Sequence, residues 1–119
     1  MNRVFVFGSN TEGRHGAGAA LEARQKWGAI YGQASGRQGN SYGIITKELR
    51  SGYALVTLDD IRKNVQEFIR YATAHSHEMF IITKIGCGLA GFKEKDIAPM
   101  FNYAPENCKF TADWELIRR

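Results

Sequence analysis

The sequence predicts a single-domain α/β sandwich with at least partly parallel strand pairing. Three observations predict it: apolar runs of strand character alternate with segments of helical period, the runs are too apolar to leave a face in water, and glycine-rich turns stand beside them. With 119 residues, 44% of them hydrophobic and 12% aromatic, the chain is long enough for one core and too short for two, so residues 1–119 are expected to form one domain.

The first element is a buried strand over Arg3–Phe7, where VFVF joins β-branched and aromatic residues and Gly8-Ser9-Asn10 signals a turn. A helix is expected from Ala17 to Trp27, with Ala20, Leu21 and Trp27 near one face and Gly28 as its stop. Gly28 to Tyr42 is polar and glycine-rich and reads as a long loop. A short strand follows at Gly43–Lys47. The next helix has a well-marked start, Thr57-Leu58-Asp59-Asp60, and apolar residues at Ile61, Val65, Phe68, Ile69 and Ala72, the spacing of one helical face. Met79–Ile85 reads as a second buried strand, Gly86–Gly91 as a turn, and Lys93–Tyr103 as a helix. In the last segment, Phe110, Ala112, Trp114 and Leu116 alternate, which predicts a strand over Phe110–Ile117.

Composition excludes several classes of function. No run approaches the roughly 18 apolar residues of a membrane span, and the start MNRVFVFGSN lacks the apolar core and cleavage site of a signal peptide, so a soluble cytoplasmic protein is expected. Cys87 and Cys108 cannot build a disulfide framework, and no Cys/His cluster has metal-ligand spacing, so neither a metal nor a cofactor is expected. Sixteen basic against twelve acidic residues give +4, a mild preference for an anionic partner. No basic run tracks a phosphate backbone.

Thirteen glycines fall in three clusters, Gly8–Gly18, Gly28–Gly43 and Gly86–Gly91, each beside a predicted element. In an α/β sandwich ligands bind beyond the carboxyl ends of the strands, so these turns can converge on one rim lined by backbone N–H groups. Gly13-Arg14-His15-Gly16-Ala17-Gly18 lies between a strand and a helix N-terminus, a place that favours an anion such as phosphate. It is neither a Walker loop nor a clean GxGxxG; a merely structural turn is the alternative. Gly86-Cys87-Gly88-Leu89-Ala90-Gly91 offers a second set of donors, and two such turns suit a diphosphate. Cys87 has no evident His partner and reads as a packing residue. Lys47 and Lys84 each end an apolar strand in the string IIT-K, whose repetition reads as coincidence. His15 could position a ligand, and Tyr31, Tyr42 and Tyr53 could supply an aromatic platform.

Together, FGSNTEGRHGAGAALEA and ITKIGCGLAGF resemble the macro domain, the three-layer α/β/α ADP-ribose-binding fold with a mixed sheet, over most of the chain. ITK at Ile45–Lys47 resembles the lysine-dependent branch, which includes terminal ADP-ribose glycohydrolases and antitoxins that remove ADP-ribose from DNA. Short phage and bacterial proteins share FGSN, HGAGAA and IGCGLAG. The resemblance implies that Asn10 lies near the distal ribose, that Gly16, Ala17 and Gly18 lie in a first loop against the diphosphate, and that Gly86, Cys87, Gly88, Leu89 and Ala90 form the second; Arg14 and His15, in the same first turn, are further candidate ligand contacts. It implies Lys47 as the catalytic residue, acting at the anomeric carbon of the distal ribose. For attack the amine must be neutral, which burial or a nearby positive charge, Arg14 or Lys84, would favour; a charged Lys47 pairing with phosphate is the alternative. Ala90 stands where some relatives carry Asp, and the early Asp-containing strand that reads adenine in typical members is missing. The implied partners are ADP-ribose or a related nucleotide, carried in some cases on protein or DNA. The alternatives are a non-catalytic protein sequestering an NAD-derived signal such as a cyclic ADP-ribose, and a nucleic-acid-binding module.

Overall fold

The computed structural model describes residues 1–118. β1 (Asn2–Asn10) is the central strand, as a run apolar on both faces requires. Val4 and Val6 enter one core with Ile44, Phe68 and Phe80, while Phe5 and Phe7 enter another with Ala20, Ala23 and Ala29. The first core is covered by α2 (Leu58–Ala74), α3 (Glu94–Ile97) and α4 (Ala112–Ile117), and the second by α1 (Gly18–Lys26). The result is the predicted three-layer α/β/α sandwich.

The sheet runs β2 (Gly36–Gln38), β3 (Ser41–Lys47), β1, β4 (Glu78–Ile82), β5 (Cys108–Lys109). β1 is parallel to β3 and to β4, and β4 to β5, whereas β2 is antiparallel to β3, so the sheet is mixed. β1 extends through the expected turn to Asn10, because Gly8, Ser9 and Asn10 still pair with Ile44, Ile45 and Lys47, with an irregularity between Ser9 and Asn10. α2 starts as the sequence predicts. Asp60 N–H donates to Thr57 Oγ1 at 3.1 Å and Thr57 N–H to Asp60 Oδ2 at 2.9 Å, a reciprocal cap that also holds the Asp60 carboxyl below its usual range.

Four expectations change. The segment Gly28–Tyr42 is not all loop: Gly39-Asn40 turns a hairpin that makes β2 an edge strand and starts β3 at Ser41. Its buried Gln38 is satisfied locally, accepting from Ile30 N–H at 2.8 Å and donating to Gln33 O at 3.2 Å. β4 ends at Ile82, short of the expected Ile85; just beyond it Thr83 still reaches β1, its N–H at 3.1 Å and its Oγ1 at 2.7 Å both donating to Val6 O. The helix expected over Lys93–Tyr103 tightens into a 3₁₀ turn at Ala98–Phe101, where Pro99 lacks an N–H for a longer α-helix. The strand expected over Phe110–Ile117 is helix α4, preceded by the two-residue β5. Thr111 takes extended N-cap geometry and Asp113 and Glu115 fall in the first turn, where the helix dipole favours them. Trp114 is buried and Leu116 exposed, so the alternation did not mark one buried face.

At the amino end of the strands, Arg37 clamps buried Glu78 through two N–H donors, at 2.8 and 3.0 Å, with Asn2 Nδ2 at 2.6 Å. These donors, Arg37 first, hold the Glu78 carboxyl down to about 2. A carboxyl depressed in the folded state stabilises above its unfolded pKa and loses that contribution as pH falls through the folded one. Between pH 4.5 and 2 this pair is therefore expected to cost the protein about 3 kcal/mol of unfolding free energy. Denaturant titrations of wild type and Glu78→Gln check it: the variant's profile must be flatter in that window, and parallel profiles contradict it.

Candidate functional site

β1, β3 and β4 are parallel, so their carboxyl ends share one rim. The chain leaves β1 toward α1 and the β3 side, and leaves β4 toward α3 and the β5 side; such a divergence opens a crevice between the two strand ends. A cleft of about 440 Å³ lies there. Asn10, Arg14, Ala17, Gly18 and Lys47 line it, together with Gly86, Cys87, Gly88, Leu89 and Ala90, so both glycine loops face one space.

Asn10 organises the first loop. Its Oδ1 accepts from Arg14 N–H at 2.9 Å, its Nδ2 donates to Arg14 O at 2.8 Å, and its own carbonyl accepts from Gly13 N–H at 3.0 Å. The amide named by the resemblance for ribose contact is thus engaged within the loop at both ends. Gly13, at φ +65°, turns the chain against Gly32, whose N–H donates to Gly13 O at 2.8 Å. α1 then begins at Gly18, with the unpaired N–H groups of its first turn at the cleft.

The second loop is closed by its own backbone: Phe92 N–H donates to Gly86 O at 2.8 Å and Gly91 N–H to Gly88 O at 3.0 Å. Gly86 needs its positive φ of +75° for this turn. The N–H groups of Gly88, Leu89 and Ala90 take no acceptor among the described residues. The loop also lies close to β1, since a Cβ on Gly8 would stand 3.2 Å from Gly86 N.

Lys47 ends β3 opposite Asn10, is exposed, and makes no ion pair among the described residues; the same is true of exposed Arg14. Lys84 is held by Asp113 and, at 3.2 Å, by Glu94, so its charge is largely compensated. Burial, with the nearby Glu94 charge, pushes the Cys87 thiol up to about 11, which leaves it protonated near neutrality and supports its packing role.

His15 and Gly16 do not line the cleft. His15 is fully buried beneath the first loop, edge-on to Phe7 with ring centroids 5.2 Å apart. Burial above all, opposed by the Gln33 backbone and aided by the Arg24 charge, lowers its pKa, which favours the neutral imidazole of a core residue. Of the tyrosines, Tyr42 is buried, and none of the three lines the cleft.

Sequence reasoning did not place Thr46, Thr83 and Glu94 at the site. A signal existed for the threonines. The repeated string puts Thr46-Lys47 and Thr83-Lys84 at equivalent ends of parallel strands, where both hydroxyls donate to β1 carbonyls, Thr46 to Ser9 O and Thr83 to Val6 O. Glu94 carried no such mark. No group of three metal-ligating side chains forms among the described residues, and none of their helices is long and apolar enough to cross a membrane.

No protein-family model matches the chain, and no curated protein matches it. Two solved structures, both of Bacteroides thetaiotaomicron proteins, are similar in fold. One, described as a protein of unknown function, is 20% identical with a TM-score of 0.60, over 92% of this chain and 87% of its own. The other, an X-ray crystal structure, is 21% identical with a TM-score of 0.60, over 87% and 81%.

Proposed function

We propose that the chain binds ADP-ribose or a related NAD-derived nucleotide in this cleft, with the diphosphate between the two glycine loops. The observation that carries the reading is the convergence of two sets of unpaired backbone N–H groups on one space, with Lys47 and Arg14 exposed on its wall and free of ion pairs among the described residues. Oriented main-chain donors and a helix N-terminus hold phosphate oxygens without a matching side-chain charge, and two nearby cations add attraction. The volume lies within the roughly 300–1,000 Å³ of small-ligand clefts. A nucleic-acid interface is less well supported, because glycine loops rather than basic residues dominate the lining of the cleft.

Lys47 acts in this reading as the ligand's cationic partner. The same residue would carry glycohydrolase chemistry on ADP-ribosylated protein or DNA, where its amine would have to meet the anomeric carbon. Its exposure, and the engagement of Lys84 by two carboxylates, favour the binding role. Lys47→Ala is expected to weaken ADP-ribose binding about 10-fold, the loss of one charge-assisted contact. Calorimetry with mass analysis of the recovered ligand checks this and separates a sequestering protein, which returns its ligand intact, from a hydrolase. Wild-type affinity in the variant would remove Lys47 from the site.

A further inference from the structure

β3 ends at Lys47, and residues 48–57 leave it as an irregular, mostly exposed connection to α2. A connection of this kind frays at its start unless something ties it down. Here a single carboxylate does so. Glu48 Oε2 accepts from Thr11 Oγ1, from Arg50 N–H at 3.0 Å and from Arg50 Nε at 3.1 Å, while Oε1 accepts from Arg50 Nη2 at 2.9 Å. Thr11 belongs to the exit of β1: its N–H donates to Lys47 O at 3.0 Å, and its hydroxyl accepts from Leu49 N–H at 3.3 Å. The β1–β3 pairing stops at Asn10 and Lys47, so these contacts carry it past the strand end with side chains in place of a ladder.

The Glu48 side chain is 4% exposed, and Arg50 above all, then Thr11, hold its carboxyl down to about 2, so it is charged near neutrality. It does not line the cleft, whereas Lys47 does. By charge alone, a carboxylate one residue from Lys47 opposes an anion bound there. What its hydrogen bonds secure is the main chain that carries the lysine. We propose that Glu48 is a positioning residue: with Thr11 and Arg50 it latches the end of β3 to the exit of β1, so that Lys47 is presented to the cleft from an ordered backbone. This rests on the reading of the cleft as a diphosphate site. Glu48 touches no ligand and acts through Lys47, whose backbone is ordered before the ligand arrives rather than at its expense.

Calorimetry with ADP-ribose on wild type, Glu48→Ala, Lys47→Ala and the double variant tests the assignment. The sign of the first effect separates two accounts. Removing a negative charge beside an anion site, and freeing Arg50, would tighten binding, whereas opening the latch weakens it. Glu48→Ala is expected to lose about fivefold, the cost of ordering one long side chain, and to add no further loss where Lys47 is already alanine. Unchanged or tighter binding in Glu48→Ala overturns the proposal, as does wild-type affinity in Lys47→Ala. Losses that multiply in the double variant also overturn it, since they mark a general structural part. Thr11→Val, which removes the hydroxyl and keeps the branched shape, is held to the same pattern and decides the matter if Glu48→Ala does not fold. A failed latch removes only the role of Glu48, whereas a wild type that binds no ADP-ribose removes the diphosphate reading and this proposal with it.

Discussion

Gly88→Asp is expected to reduce ADP-ribose affinity by more than about 100-fold while leaving the fold intact. A Cβ at Gly88 meets nothing within 4 Å, and this glycine is not among those with positive φ, so a side chain there is neither strained nor crowded. It would add its charge to a loop that lines the cleft assigned to the diphosphate. A carboxylate about 4 Å from a phosphate charge costs about 4 kcal/mol at an effective dielectric of 20, which more than covers a 100-fold loss. Gly88→Ala should cost much less. Calorimetry for affinity and thermal unfolding for stability separate the two effects; near wild-type affinity in the aspartate variant would mean that the second loop does not face the ligand.

The second large effect is on stability. Gly13→Ala is expected to lower the unfolding free energy by about 3 kcal/mol, because the left-handed backbone costs about 1 kcal/mol for a non-glycine residue and the added carbon must displace a neighbouring segment. At φ +65° its Cβ would lie 2.5 Å from Gly32 C and 2.8 Å from Gln33 N, both main-chain atoms. Gly18, at φ +57°, is the comparison, since its Cβ would meet nothing within 4 Å and only the conformational penalty remains. Gly18→Ala should therefore cost about 1 kcal/mol. Denaturant unfolding of the two variants isolates the close approach, and equal losses would contradict it.

The parts of the fold that were legible in the sequence are those where a single local signal agrees with the tertiary demand. β1 is apolar on both faces because it has cores on both sides, and α2 carries its cap and its buried stripe in adjacent residues. β2 was missed because a three-residue polar edge strand has no hydrophobic period; the Gly39-Asn40 turn was its only mark. α4 was misread because six residues are too few to separate periods of 2 and 3.6 when one large residue, Trp114, dominates the pattern.

The site was legible in the same uneven way. Parallel strands force the loops that follow them onto one rim, so the meeting of residues 17–20 with residues 86–90 could be read from the order of elements alone. The fate of His15 could not. A polar residue in a glycine turn reads as a ligand contact, but the turn at Gly13 and the aromatic surface of Phe7 draw the ring inward, a decision made by packing that residue type does not announce. Glu94 was hidden because its partner, Trp114, lies 20 residues further on.

The central claim is that main-chain N–H groups of both loops meet one diphosphate. Titration of ¹⁵N-labelled wild-type protein with ADP-ribose, followed through the backbone amide spectrum, tests it most directly. Saturable shifts concentrated at residues 17–20 and 86–90, reproduced by pyrophosphate alone, are the predicted result. Shifts confined to one loop, located elsewhere in the sheet, or absent at saturating ligand would contradict it.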